Sequence, residues 1–243
     1  MTSRLNLLSR ARSLSTSPPS NLLQTTHKVL NQAPLLSDYN LFTSNPCLVA
    51  SVSAFSKGHV DHCTKHGRVL GSPSSFELGD VANNIHPTLL THDNYGNRVD
   101  VVKYTNAYHD MMAMGIAAGV TSLPFEGGAA SPAPAGRHTA RAALGYMQNQ
   151  IDPGHCCPLV MTFACIPVIR KAAPPSLKDL YLSKLTSRQY DGRDLAVHAK
   201  SGIKIGMSMT EKQGGSDVRS NTTTATRSSL DRELYHLVGH KWL

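Results

Sequence analysis

The sequence predicts a mainly α fold: a helical domain that passes, late in the chain, into the first strands of a β unit. From about His27 to Lys204 apolar residues recur at helical spacing. At Ile203-Lys-Ile-Gly-Met-Ser-Met209 the period changes to two, and β-branched and strand-like runs follow at Thr222–Thr226 and Glu233–Val238. The organisation this implies is an N-terminal segment 1–26, a helical domain 27–202 and the start of a β-domain at 203–243, incomplete within the chain.

Taken in order, residues 1–26 carry Arg4, Arg10 and Arg12, leucines, serines and no acid. That is the composition of an organellar, above all mitochondrial, presequence; the alternative is an untargeted, disordered start to a cytoplasmic protein. Pro46–Leu70 reads as one long helix with Leu48, Val49, Val52, Phe55 and Val60 on its apolar side. Ser75–Asn84 reads as a short helix capped by Ser74 or Ser75 and stopped before Pro87. Thr105–Val120 places Tyr104, Tyr108, Met111, Met112, Ile116 and Val120 on one stripe. Glu126–Gly136 is a small-residue loop, and Arg137–Gln150 forms a helix with Ala140, Ala143, Leu144 and Met147 facing inward. His155–Lys171 is apolar enough for a buried helix, bent or divided at Pro167, and Pro175–Arg188 is amphipathic through Leu177, Leu180, Tyr181 and Leu185. Ser228–Arg232 then reads as a turn between the last strands, and Gly239-His240 as a tight turn or bulge.

Composition narrows the function classes. The 243 residues suffice for a real core, and the longest apolar run, Leu159–Ile169, is about half of a membrane span. The net charge of +8 invites a nucleic-acid reading, but half of it sits in residues 1–37 and no basic stripe follows. Five irregularly spaced cysteines read as reduced thiols, mostly small apolar core residues. His59, His62 and His66 with Cys63 share a helical face at spacings of three and four. A solvated polar face accounts for them more simply than zinc, because no second ligand cluster follows. There is no Gly-x-Ser-x-Gly elbow, no persuasive Cys/His pair, no dinucleotide fingerprint and no phosphate loop.

One stretch carries chemistry. Met207-Ser-Met-Thr-Glu-Lys-Gln-Gly-Gly-Ser-Asp-Val218 places Met209 and Thr210 at the carboxyl end of a short apolar strand. Gly214-Gly215 can take positive φ and let a ligand approach the backbone, Thr210 and Ser216 add hydroxyls, and amides around such glycines favour anions. A surface β-turn explains the same residues equally well.

The order of several segments resolves that choice by resemblance. Met209-Thr-Glu-Lys-Gln-Gly-Gly-Ser-Asp-Val218 resembles the signature loop of acyl-CoA dehydrogenases, in the form found in their AidB-like branch. Val29-Leu-Asn-Gln32, Glu77-Leu-Gly79, Ala82-Asn83, Cys157-Pro158, Met161-Thr-Phe-Ala164, Ser187-Arg-Gln-Tyr-Asp191 and Leu237-Val-Gly-His-Lys-Trp242 agree in order, so the resemblance covers roughly 27–243. It implies an N-terminal helical domain, a middle β-domain and a C-terminal helical bundle. It also implies FAD as cofactor, an acyl-CoA-type substrate, a homo-oligomer and, in this branch, DNA contacts through the C-terminal bundle. The residues it assigns to the flavin are Met207, Met209, Thr210, Gly214, Gly215 and Ser216, with Thr210 and Ser216 also facing substrate. Glu211 and Glu126 do not match the family's catalytic glutamate, whose place falls after Leu243, so no catalytic residue is assigned. The expectation is a partial acyl-CoA dehydrogenase-like chain, inactive alone. The alternatives are a DNA-associated flavoprotein of the alkylation response, or a helical interaction module whose glycine loop is only a turn.

Overall fold

A computed structural model describes residues 30–126, 135–231 and 233–242. Residues 30–36 hold no helix or strand, and the compact body begins at Ser37. The presequence reading of 1–26 and most of the small-residue loop after Glu126 lie outside the described residues.

Among the described residues, seven α-helices and two hairpins make the body: α1 (Pro46–Phe55), α2 (Val60–Leu70), α3 (Pro73–Asn84), β1 (Thr88–His92), β2 (Arg98–Lys103), α4 (Asn106–Ala118), α5 (Arg137–Ile151), α6 (Cys156–Ala172), α7 (Pro175–Leu185), β3 (Thr224–Arg227) and β4 (Tyr235–Val238). Local chemistry starts them. The Asn45 side chain accepts from the Cys47 and Leu48 amides with Pro46 at the first position of α1. Thr105 does the same for α4 through the Tyr108 amide. Gly119, at φ +86°, ends α4 in the left-handed region, and Arg188 packs where a β-carbon would stand. The core gathers Leu41, Phe42, Val52, Cys63, Leu70, Met112, Leu144, Met147 and Leu159, with α5 touching α1, α2, α3, α4 and α6. A smaller cluster of Phe125, Ile166 and Leu185 seats Ile203 and Ile205.

Several expectations need correction. Pro46–Leu70 is two helices, not one: the Ser56 amide closes α1 on the Val52 carbonyl, Ser56 takes φ −150°, and a 3₁₀ turn Lys57–His59 follows. Ser56 Oγ meets His59 Nδ1 at 3.1 Å, and Phe55 is left exposed. The cap of α3 is Ser72, whose hydroxyl accepts from the Ser75 amide, because Pro73 fits the first helical position. Residues 88–103 are not helical but an antiparallel hairpin, turned where the Asp93 carboxylate accepts from the Tyr95 and Asn97 amides. α6 runs unbroken through Pro167, and only Cys156, Leu159, Thr162 and Ile166 are buried along it, so it is a one-sided helix. α7 ends at Leu185 and leaves Leu177 exposed.

The alternating stretch Ile203–Met209 is extended but belongs to no ladder among the described residues. Its alternation serves packing onto helices: the Ile203 amide donates to the Lys184 carbonyl and the Ile205 amide to Thr162 Oγ1. The tail forms its expected hairpin, with Thr224 opposite Val238 and Arg227 opposite Tyr235. No described helix is long and apolar enough to cross a membrane.

Candidate functional site

The segment Met207–Ser216 leaves the helical body and is fixed from behind by a single carboxylate. Glu211 is 1 % exposed. Its Oε1 accepts from the Thr223 amide (3.0 Å), the Thr223 hydroxyl (2.5 Å) and Lys241 Nζ (3.0 Å). Its Oε2 accepts from the Thr222 amide (2.7 Å), the Thr222 hydroxyl (3.1 Å) and Gln213 Nε2 (2.5 Å). The Thr222 amide, then the Thr223 hydroxyl and amide and Lys241, hold the Glu211 carboxyl far below the usual carboxylate range. With its lone pairs engaged in this way Glu211 is a structural anchor and no proton acceptor. It ties the loop to both the Asn221–Thr223 stretch and the chain after β4.

Backbone bonds complete the frame. Glu211 and Gly214 exchange N–H···O bonds of 2.9 and 3.0 Å, closing a tight turn over Lys212-Gln213. The Trp242 amide donates to the Thr210 carbonyl (2.8 Å), Asn221 Nδ2 to the Met209 carbonyl (2.8 Å) and the Lys212 amide to His240 Nε2 (3.1 Å). Neither Gly214 nor Gly215 takes the positive φ expected of it. Their lack of a side chain matters for space instead: a β-carbon on Gly214 would stand 2.3 Å from Ser220 Oγ and 2.6 Å from the Asp217 carbonyl oxygen. On Gly215 it would press on the Thr210 methyl at 3.2 Å.

The frame uses the Met209 and Thr210 carbonyls and the Glu211, Lys212 and Gly214 amides, and leaves donors free on either side of the turn. Among the described residues the amides of Met207, Ser208, Met209, Thr210, Gly215 and Ser216, and the hydroxyls of Thr210 and Ser216, find no partner. Met207 (41 % exposed), Met209 (52 %) and Trp242 (55 %) lie open in the same region. Exposed apolar side chains beside a run of uncommitted N–H and O–H groups suit a planar, acceptor-rich ring. The six residues singled out from the sequence therefore share one continuous segment. Sequence reasoning missed its anchor, although the Glu-x₁₀-Thr-Thr spacing and Lys241 were present to suggest a buried acid.

Two other polar clusters are structural. His66 Nε2 donates to Gln148 Oε1 (3.0 Å), Gln148 Nε2 donates to the Met111 carbonyl (3.1 Å) and to His155 Nε2 (3.0 Å), and His155 Nδ1 donates to Asp152 Oδ2 (2.8 Å). The direction of this chain fixes His155 as its neutral Nδ1–H tautomer and gives His66 an Nε2–H, and burial lowers both, His66 to about 4. Cys156 Sγ lies 3.6 Å from His155 Nε2, an Asp-His-Cys grouping that sequence reasoning did not find. Burial pushes that thiol up to about 12 and Gln148 already occupies the His155 acceptor, so it is no nucleophile. The polar helix face expected at His59–His66 is half-buried in fact, with His66 and Cys63 in the core; no described group of three His, Cys, Asp or Glu side chains could hold a metal. Glu126 is paired with Arg188 (2.5 Å) and Ser122 Oγ (2.7 Å) and braces the turn after α4.

Comparison with solved structures defines the class first. The fold is that of acyl-CoA dehydrogenase-like proteins: it superposes on Caenorhabditis elegans ACDH-11, solved in complex with C11-CoA, with a TM-score of 0.69 at 21 % identity over 94 % of this chain and 37 % of that one. It superposes on Bd2924 in its apo form with a TM-score of 0.70 at 22 % identity, over 85 % and 40 % of the two chains. Residues 31–192 match the family of the adaptive response protein AidB N-terminal domain, and the chain belongs to that family. The putative acyl-CoA dehydrogenase AidB of Escherichia coli K12 is 40 % identical over 218 residues, 89 % of this chain and 39 % of that protein. Acyl-CoA dehydrogenase family member 11 of C. elegans is 28 % identical over 165 residues, 68 % of this chain and 25 % of that protein. The chain thus spans about two fifths or less of the length of these relatives.

Proposed function

We propose that this chain provides the N-terminal helical domain, 27–202, and the first part of the middle domain, 203–243, of an FAD-dependent oxidoreductase acting on an acyl-CoA-type thioester. The observation that carries the reading is the run of uncommitted donors along Met207–Ser216, set beside exposed Met207, Met209 and Trp242 and held rigid from behind by Glu211. The amides of Met207–Thr210 and the Thr210 hydroxyl would meet the acceptor edge of the flavin, which in this reaction class takes up a hydride. Gly214 and Gly215 keep the turn tight enough for the Ser216 hydroxyl to reach the cofactor or the acyl-CoA.

Neither Glu211 nor Glu126 is free to take the α-proton, since both are committed to cationic and hydroxyl partners. We therefore propose that the 243-residue chain alone does not oxidise acyl-CoA and retains no FAD through purification. A titration with FAD followed by amide NMR tests the assignment. Shifts concentrated in Met207–Ser216 and Trp242 are expected; shifts elsewhere with this segment unmoved would refute it. Acyl-CoA oxidation by the isolated chain would refute the second claim.

A further inference from the structure

We infer that the open cleft between β2 and the loop after Tyr190 is a binding site for a small planar aromatic anion, separate from Met207–Ser216. The cleft encloses about 600 Å³, within the range of small-molecule sites. Its floor is aromatic. Tyr104 stacks on Tyr108 with centroids 4.2 Å apart and planes 18° apart, which uses one face of Tyr104 and leaves the residue 42 % exposed in the cleft. Tyr190 is held upright by its hydroxyl, which lies 2.6 Å from His109 Nδ1.

The charge on the cleft is the second observation. Lys204 Nζ sits 4.6 Å from the centre of the Tyr190 ring, and among the described residues it has neither an ion pair nor a hydrogen-bond acceptor. Of the acids nearby, Asp191 is engaged by Arg193 (2.7 Å) and Asp100 by Arg98 (2.6 Å), while Asp194 lines the cleft against the cations Lys103, Arg193 and Lys204. Burial, with Lys200 adding to it and Asp191 opposing it, lowers the Lys204 ammonium from its ordinary value. Lys103 lines the same cleft. Asp100, at φ +47°, takes the left-handed conformation that Asp tolerates and forms the kink where the β1–β2 register shifts in the cleft wall. A planar ring stacked on Tyr104 with its acid group on Lys204 would satisfy both the open aromatic face and the unpaired cation.

Isothermal titration of the 243-residue chain tests this with 2-naphthoate, AMP, and decahydro-2-naphthoate as a non-planar control. One or both planar anions should bind, and which does so separates a carboxylate from a phosphate headgroup. Lys204→Met and Tyr104→Ala should each weaken that binding about tenfold, with unchanged helical circular dichroism showing that the fold is kept. The inference is overturned if neither planar anion binds, if the non-planar acid binds as well as 2-naphthoate, or if either variant binds like wild type.

Discussion

At the scale of single residues, two buried groups carry most of the consequence. Glu211 was set aside as a catalytic base from the sequence, and its six donors show what it does instead: it positions the backbone that presents Thr210 and Ser216. Glu211→Gln keeps the shape but removes the charge that Lys241 and the two threonines answer. Hydrogen exchange at Thr222 and Thr223 should accelerate while amides in α4 and α5 stay protected. His66 gives a second prediction, read through pH. Its folded value is lowered to about 4 from 6.5, so between these pH values the unfolded chain takes up a proton that the folded chain refuses. Stability is then intact above pH 6.5 and falls as pH drops towards 4, by roughly 3 kcal/mol for this residue alone. His155 is lowered in the same direction and adds to the loss. Glu211, also lowered, extends it below pH 4.5, because its carboxylate stays charged in the fold after the unfolded chain has been protonated. Urea unfolding at pH 7 and at pH 4 measures the sum; equal midpoints would contradict the neutral, buried assignment of His66.

At the scale of elements, α5 is the helix that α1, α2, α3, α4 and α6 share. Leu144 and Met147 are fully buried there, and Leu144→Ala should cost about 2–5 kcal/mol in a denaturant titration. α5 was also the element most legible in the sequence, since Ala140, Ala143, Leu144 and Met147 form one stripe and all are buried. α4 was legible through Met111, Met112 and Ile116, which are buried, although Tyr104 on the same predicted stripe is exposed. Where the sequence misled, a local signal competed with periodicity. Ser56-Lys-Gly58 breaks a stripe that otherwise runs on from α1 into α2. The hairpin β1–β2 hides because its strands are exposed on both faces and show no clean alternation of burial. Ile203–Met209 alternates as a strand does, yet among the described residues it has no pairing partner: Ile203 and Ile205 pack against α6 and α7, and Met207 and Met209 lie open. The candidate site was readable as a contiguous motif, but its anchor was not. Glu211 meets Thr222, Thr223 and Lys241 only once the chain has turned back on itself twice.

At the scale of the whole molecule, the two ends of the described body differ. The helices enclose a packed core, whereas β3 and β4 form a two-stranded hairpin exposed along its whole length, with Leu234, Leu237, Val238 and Trp242 open. Two strands without a covering layer are marginal in water. The amides of β3 and β4 should therefore exchange far faster than those of α4 and α5 in the 243-residue chain; equal protection would mean that something covers the hairpin. In a relative more than twice as long there is ample chain to cover it. The central claim, that Met207–Ser216 forms one wall of a flavin site, is tested most directly in a chimera that joins residues 27–243 of this chain to the remainder of E. coli AidB. The measurement is the flavin-to-protein absorbance ratio after purification, compared between the chimera and its Thr210→Val, Ser216→Ala double variant. The account predicts near-stoichiometric flavin in the first and a marked loss in the second at equal helical content. Equal flavin in both would contradict it.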